Sequence, residues 1–322
     1  MGWHGLPAQR DGQVARATLK QETFESMNAG KFLKYLILVV VAGNLAVVGY
    51  VFLSALTPKV IPMPNPNGYD DFVKAGLMLK GKPYDYPKMS HEELSAFVSQ
   101  NADALKLAEV GLERECRVPD DYSPENIQRF KMGGPAIYDL GLNFCAQGRL
   151  AALEHRTNDA VESYLQSIRL GGKSSRGGFT NSKSHGIICE HLGWLGLQPW
   201  TNSLDLHQCL KVAQTLETID DQEEPFEENV RRQRIMMRNT RSLVENFSAV
   251  FAMSSFRKLC AGFITTCQKN QLERRQLMLA FAIRAYELER GKRPASLADL
   301  VPAYLKAIPQ DPATGTNLVY SP

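Results

Sequence analysis

The densest group of side chains able to do chemistry in this 322-residue chain is His185-Gly-Ile-Ile-Cys189-Glu190-His191. On a helix His185 and Cys189 stand one turn apart and share a face, a pairing that can offer two ligands to zinc or place a base beside a thiol. Zinc hydrolases need H-E-x-x-H or H-x-x-E-H, and HGIICEH follows neither pattern. Two ligands without a third in register predict a packed helix carrying two histidines, with no metal. Gly171-Gly172-Lys173-Ser174-Ser175 touches on a phosphate loop. That loop requires a glycine five positions before the one that precedes lysine, where this chain has Ser167, and a strand ahead of it, where this chain has a helical pattern. The two glycines are read instead as a helix stop followed by a flexible loop. There is no G-x-S-x-G elbow and no dinucleotide fingerprint. Catalytic residues are therefore unassigned, and no cofactor is expected.

Arg231, Arg234, Arg238 and Arg241 recur at three- and four-residue spacing. Glu227 and Glu228 each stand four residues before an arginine, Arg231 and Arg232, the favoured order for helical ion pairs. The stripe reads as a solvated, ion-paired face, with a docking surface for an acidic partner or lipid headgroups as the alternative. Asn246-Phe247-Ser248 is a glycosylation sequon inside a predicted helix, and no glycan is assigned to it. The net charge of +3 is too small to argue for nucleic acid. Six cysteines (Cys116, Cys145, Cys189, Cys209, Cys260 and Cys267) form no C-x-x-C pair. Most are expected to be buried thiols. Cys260 and Cys267 share a predicted helix, roughly 10 Å apart and out of bridging range.

These groups must be positioned by an anchor and a helical domain. Tyr35 to Leu56 reads YLILVVVAGNLAVVGYVFLSAL without a charge. Its 22 residues make roughly 33 Å of helix, which matches a hydrocarbon core. A cleaved signal sequence would carry a shorter apolar run and a small-x-small site, absent at Ser54-Ala55-Leu56. Arg16, Lys20, Lys31 and Lys34 precede the span, whereas only Lys59 and Lys74 follow closely, so the N-terminus is placed in the cytoplasm. Asn44 is the polar intruder, able to bond to a second helix. The expected organisation is a cytoplasmic tail (1–34), a transmembrane helix contacting the lipid bilayer (35–56), a proline-rich spacer (57–68), a helical domain (69–290) and a C-terminal segment (291–322).

The fold class is mainly α: an irregular multi-helix domain of α-hairpins, extracytoplasmic, with little or no sheet. Asp70-Asp71 open a helix through Leu79, and the Ser90/Glu93 capping box opens one that runs to Cys116. Ser123-Pro124 starts another, and Asn158-Asp159 begins a helix through Leu170. Further helices are expected at 183–197, 203–218, 225–252, 255–268 and 271–290. In the last, Leu272, Leu279, Ile283 and Tyr286 form the apolar stripe with Arg274 and Arg275 off it, and Gly291 closes the helix.

Two segments resemble known families. Phe144, Gly148, Ala160, Tyr164 and Ser167 are spaced like the small and aromatic positions of a tetratricopeptide repeat, which implies one hairpin of closely packed helices. Gln147 and Gly172 depart from that pattern. The end of the chain, Gly291-Lys-Arg-Pro294-Ala-Ser296-Leu297, then Tyr304-Leu305, Pro309-Gln-Asp311-Pro312 and Gly315, resembles the corresponding segment of type II secretion pseudopilins. It also resembles the ends of uncharacterised bacterial membrane-anchored proteins. The likeness implies a bacterial envelope protein. The pseudopilin glycine and glutamate at the start of the apolar helix are missing, and Asp311 is the last acidic residue, so neither fibre assembly nor calcium is carried over. The expected function is a membrane-anchored domain that binds or scaffolds another protein. An envelope hydrolase with an unseen carboxylate or His/Glu site, and a secretion-system accessory, are the alternatives.

Overall fold

The computed structural model describes residues 32–45, 47–48, 62–81, 83–119, 124–239 and 243–320. The chain divides into two units, Met1–Ile61 and Pro62–Pro322. In the first, residues 32–45 form a helix, α1, whose apolar side chains, among them Leu36, Val40 and Leu45, are all exposed. Asn44 donates to the Val40 carbonyl at 2.7 Å, so its amide is satisfied within its own turn without a second helix. Among the described residues no helix is long and apolar enough to cross a membrane. The expected span continues through residues 46 and 49–56, and these, like the tail up to residue 31, lie outside the described part.

The second unit is helical throughout, and among the described residues its only β pairing is one antiparallel bridge between Gln310 and Asn317. Helix α2 spans Gly68–Met78. Its cap, Asn67, accepts the Tyr69 amide and also bonds both ways to the Arg117 backbone, which ties the start of α2 to a segment fifty residues further along the chain. Helix α3, His91–Gln100, opens on the Ser90/Glu93 capping box as expected. It does not continue to Cys116. Asn101 is buried between α3 and α4 (Ala102–Glu113), donating to the Phe97 and Lys80 carbonyls and accepting the Lys80 amide. A side chain that serves the backbone this way competes with the helix ladder and breaks the run.

Helix α5, Pro124–Leu153, and helix α6, Thr157–Ser175, form a hairpin turned at His155, whose φ is +58°. Gly148 and Tyr164 meet across it, since a Cβ at Gly148 would stand 2.8 Å from the Tyr164 ring, whereas Phe144 belongs to a separate part of the core from Ala160 and Tyr164. Helix α7, Thr180–Leu197, lies against α6 and α5. Here the structure corrects the reading of Gly171-Gly172 as a helix stop: α6 runs through both. Gly171 is where α6 and α7 touch backbone to backbone, since a Cβ there would meet the Gly186 carbonyl oxygen at 2.3 Å. The glycine serves close approach rather than chain reversal.

Helices α8 (Leu206–Asp221), α9 (Phe226–Asn239) and α10 (Leu243–Arg290) complete the set, with α8 packed on α10. The separate helices expected at 255–268 and 271–290 are one. Asn270, read as a gap between them, faces inward and donates to Glu190 at 2.6 Å. Gly291 ends α10 with φ +71°, its amide bonded to the Glu287 carbonyl. The buried residues of this part of α10 are Leu277, Met278, Leu279, Phe281, Ala282 and Ala285; of the expected stripe Leu279 is among them and Ile283 and Tyr286 pack against them half-buried. The C-terminal segment folds onto these residues through Leu297, Leu300, Tyr304 and Leu305. A short 3-10 turn there, Leu297–Leu300, is capped by Ser296 and Asp299, and Asp311 accepts the Ala313 amide in the Asp-Pro turn.

Candidate functional site

The cluster that dominates the sequence comes apart in space. His185 stands beside Gly134 of α5 and donates from Nδ1 to the Asn181 carbonyl at 2.8 Å. Cys189, one turn further along the same face, is buried with its sulfur against Gly141 of α5, seven residues from Gly134, so the two side chains meet different parts of that helix. His191 stacks on Trp194 at the surface and approaches Glu273 at 3.5 Å. Among the described residues no three His, Cys, Asp or Glu side chains converge in a way that could hold a metal ion.

Glu190 faces into a buried ionic network that joins α7, α10 and the end of α8. Its two oxygens accept from Lys183 at 3.3 Å and from Arg274 at 2.7 Å, with Asn270 as a third donor. Glu223 bonds to both Lys183 and Arg274. Asp220 accepts from Arg274 at 2.7 Å and from Arg275 at 2.8 Å. Three carboxylates thus face three cations. Lys183 and Arg274 are 2% and 4% exposed, and such burial is tolerated only when every charge is paired. Burial opposes the charged form of Lys183 and of Arg274, yet the surrounding carboxylates prevail and raise both pKa values. Burial likewise opposes the Glu223 carboxylate, but Lys183 and Arg274 hold its pKa down at about 2. The void beside Glu190, Asn270 and Arg274 measures about 10 Å³, room for one water at most. This network is a structural clamp between α7, α10 and the end of α8. Its Glu190 end is closed, and Glu223 alone of its members also lines a wider cleft.

The large concavity lies elsewhere. A cleft of about 740 Å³ opens between the C-terminal end of α4, the last two turns of α6 and the whole outer face of α8. Arg169, Gly172, Lys173 and Arg176 line it from α6, at the i, i+3, i+4 and i+7 positions of one face. From α8 come His207, Leu210, Lys211, Gln214, Thr215, Thr218, Ile219 and Gln222, and from α4 Leu112 and Glu113. The cations are held in place. Lys173 donates to the Leu112 carbonyl and, at 3.1 Å, to that of Arg114, closing the end of α4. Partial burial lowers its pKa. Arg176 donates to the Gln222 carbonyl at 2.6 Å, while Arg169 and Lys211 share Glu162 at 2.8 and 3.1 Å.

Sequence reasoning did not single out Lys183, Asp220, Glu223 or Arg274; apart from Glu190, seven residues from Lys183, their partners lie tens of residues away. It placed Arg274 off the packed stripe of its helix, and the structure buries it. The cleft left a fainter trace, a polar stripe at helical spacing along 207, 211, 214, 218 and 222. Of the arginine stripe of α9, Arg231 bonds to Glu228 at 2.7 Å and Arg234 is exposed, while Arg232, off the stripe, is buried against Glu224. The Arg238 side chain and Arg241 lie outside the described part. All six cysteines are buried and unpaired.

Compared with family models, curated proteins and solved structures, the chain finds no match.

Proposed function

We propose that this is a single-pass membrane protein, anchored through residues 35–56 with its N-terminus in the cytoplasm, whose helical domain binds a partner protein in the cleft between α4, α6 and α8. The observation that carries the binding reading is the contrast between the two charged regions. The carboxylates Glu190, Asp220 and Glu223 are each consumed by cations, Glu190 beside a void of only about 10 Å³. The cleft, by contrast, is roomy and lined along α8 by polar side chains. A paired-carboxylate hydrolase needs two acids with separated pKa values facing one open site. Of the carboxylates that line this cleft, Glu113 and Glu223, the second is already bound to Lys183 and Arg274.

The anchor rests on the uncharged run 35–56 and the excess of basic residues before it. The α5–α6 hairpin, with its tetratricopeptide-like residues, fits a domain built to present helices to another chain. The six thiols are compatible with an oxidising compartment because burial raises the pKa of each and keeps the reactive thiolate scarce.

A photo-crosslinking residue introduced at Thr215, inside the cleft, and separately at Ile188, exposed on α7 and outside it, tests the reading in intact cells. A discrete protein adduct from position 215 and none from 188 is expected. No adduct at 215, or the same adducts from both positions, would overturn it.

A further inference from the structure

The cleft has a shape and a charge that narrow the kind of partner it fits. Its α8 wall runs from His207 to Gln222, which at ~1.5 Å per residue is a groove roughly 22 Å long. An extended chain advances about 3.3 Å per residue, so six or seven residues would fill that length. A compact ligand would leave most of the wall uncovered.

The electrostatics have one sign. Arg169, Lys173, Arg176 and Lys211 line the cleft against Glu113 and Glu223. Glu223 belongs to the balanced internal network with Lys183 and Arg274. Glu162 offsets one charge of the Arg169/Lys211 pair. With Glu113 offsetting another, two positive charges remain unbalanced at the cleft. Lys173 and Arg176 are fixed to helix-terminal carbonyls, so their positions are set before anything binds.

A third observation concerns Gly172. It lies in the last turns of α6, where glycine costs about 1 kcal/mol relative to alanine. Its neighbour Gly171 is required by the contact with Gly186, but a Cβ on Gly172 would meet nothing closer than Ile219 Cγ2, at 3.9 Å. No packing in the domain requires a glycine there. What its missing side chain does is leave the cleft floor open between Lys173 and Ile219.

We infer that the cleft binds an extended acidic segment of a partner protein, laid along α8 over Gly172 with its carboxylates toward Arg169, Lys173, Arg176 and Lys211. This rests on the protein-binding reading above and goes beyond it in naming the chemistry of the bound segment. A basic or purely apolar segment would leave the two excess charges unmatched, and complementary charge is what steers encounter and register.

The test is a phage-displayed library of random peptides of about eight residues, panned on the full chain in detergent and in parallel on Gly172→Phe, Gly172→Ala and Lys211→Glu. Enrichment of peptides rich in Asp and Glu is expected on the wild type and on Gly172→Ala. On Gly172→Phe and Lys211→Glu the enriched peptides should bind at least ~10-fold more weakly. Circular dichroism of each variant shows that it is folded. Enrichment of basic or neutral sequences, no enrichment, or acidic peptides that bind Gly172→Phe as well as wild type would each overturn the inference. So would binding of the full chain to phosphatidylglycerol vesicles that competes fully with the peptides, because the cleft would then serve lipid headgroups. A protein adduct at position 215 combined with any of these results leaves protein binding intact and removes only the acidic segment. No adduct at 215 removes the broader reading.

Discussion

Adjacent glycines in one helix should respond to the same mutation with opposite signs. Alanine at either Gly171 or Gly172 adds the same helix propensity, about 1 kcal/mol, from the lower entropy of the unfolded chain and the better helical state. At Gly172 nothing opposes this gain, because the added Cβ finds its nearest neighbour at 3.9 Å. At Gly171 the Cβ lands 2.3 Å from the Gly186 carbonyl oxygen and 2.6 Å from Glu190 Cγ. That is roughly 1 Å inside ordinary contact, against a helix backbone that cannot turn aside. Relief requires α7 to move away from α6 and shifts Glu190, which anchors the ionic network. Overpacking of this kind costs about 1–3 kcal/mol and more where backbone must move. A net loss of about 2 kcal/mol or more is therefore expected for Gly171→Ala, and a gain of about 0.5–1 kcal/mol for Gly172→Ala. For a domain of this size about 1 kcal/mol corresponds to ~2–4 °C in Tm. Gly172→Ala should melt a few degrees above wild type, and Gly171→Ala at least ~5 °C below it. Thermal melts by circular dichroism on the three proteins read this directly. If both variants rise, the α6–α7 contact at Gly171 is misplaced; if both fall by similar amounts, the open floor beneath Gly172 is.

Other consequences follow from the buried charges and thiols. Arg274→Met removes the cation shared by Glu190, Asp220 and Glu223 and should cost about 3–5 kcal/mol in urea unfolding; a loss below about 1 kcal/mol would mean that the network is not buried as described. The Glu223 carboxyl has a folded pKa of about 2 against an ordinary value of 4.5. Its stabilisation, about 3 kcal/mol, is present above pH 4.5 and is lost as the pH falls through that value toward 2. The slope of stability against pH in that window should flatten in Glu223→Gln. The thiols of Cys145 and Cys267 are pushed up to about 12 and that of Cys209 to about 11. A maleimide should leave all six cysteines unmodified in the native protein at neutral pH and label all six in denaturant, counted by intact mass. Rapid native labelling of any of them would contradict their burial.

What could be read from the sequence was what is decided locally. The Ser90/Glu93 box and the stop at Gly291 each involve residues within a few positions of one another, as do the Ser296/Asp299 box and the turn at Asp311 that the structure adds. Their hydrogen bonds form as the spacing requires. The helical class followed from periodicity for the same reason. The errors come where a distant partner overrides the local rule. Gly171 looks like a helix end until Gly186, brought in by the next helix, makes it a contact point. Asn270 looks like a gap, and Arg274 like a surface charge, until Glu190 meets them from 80 and 84 residues away. Asn101, unremarked in sequence, breaks a helix because its amide serves Lys80 as well as Phe97. The cleft is of the same kind: no single helix contains it. Its walls are polar faces that look like ordinary solvated surface until α4, α6 and α8 are placed side by side.

The most direct test of a partner seated in that cleft is the affinity of the protein captured from position 215 for three forms of the chain: wild type, Gly172→Ala and Gly172→Phe. The account predicts that wild type and Gly172→Ala bind alike, while the phenylalanine, which fills the floor beside Ile219 without disturbing the fold, weakens binding ~10-fold or more. Equal affinity for all three would show that the partner sits somewhere else.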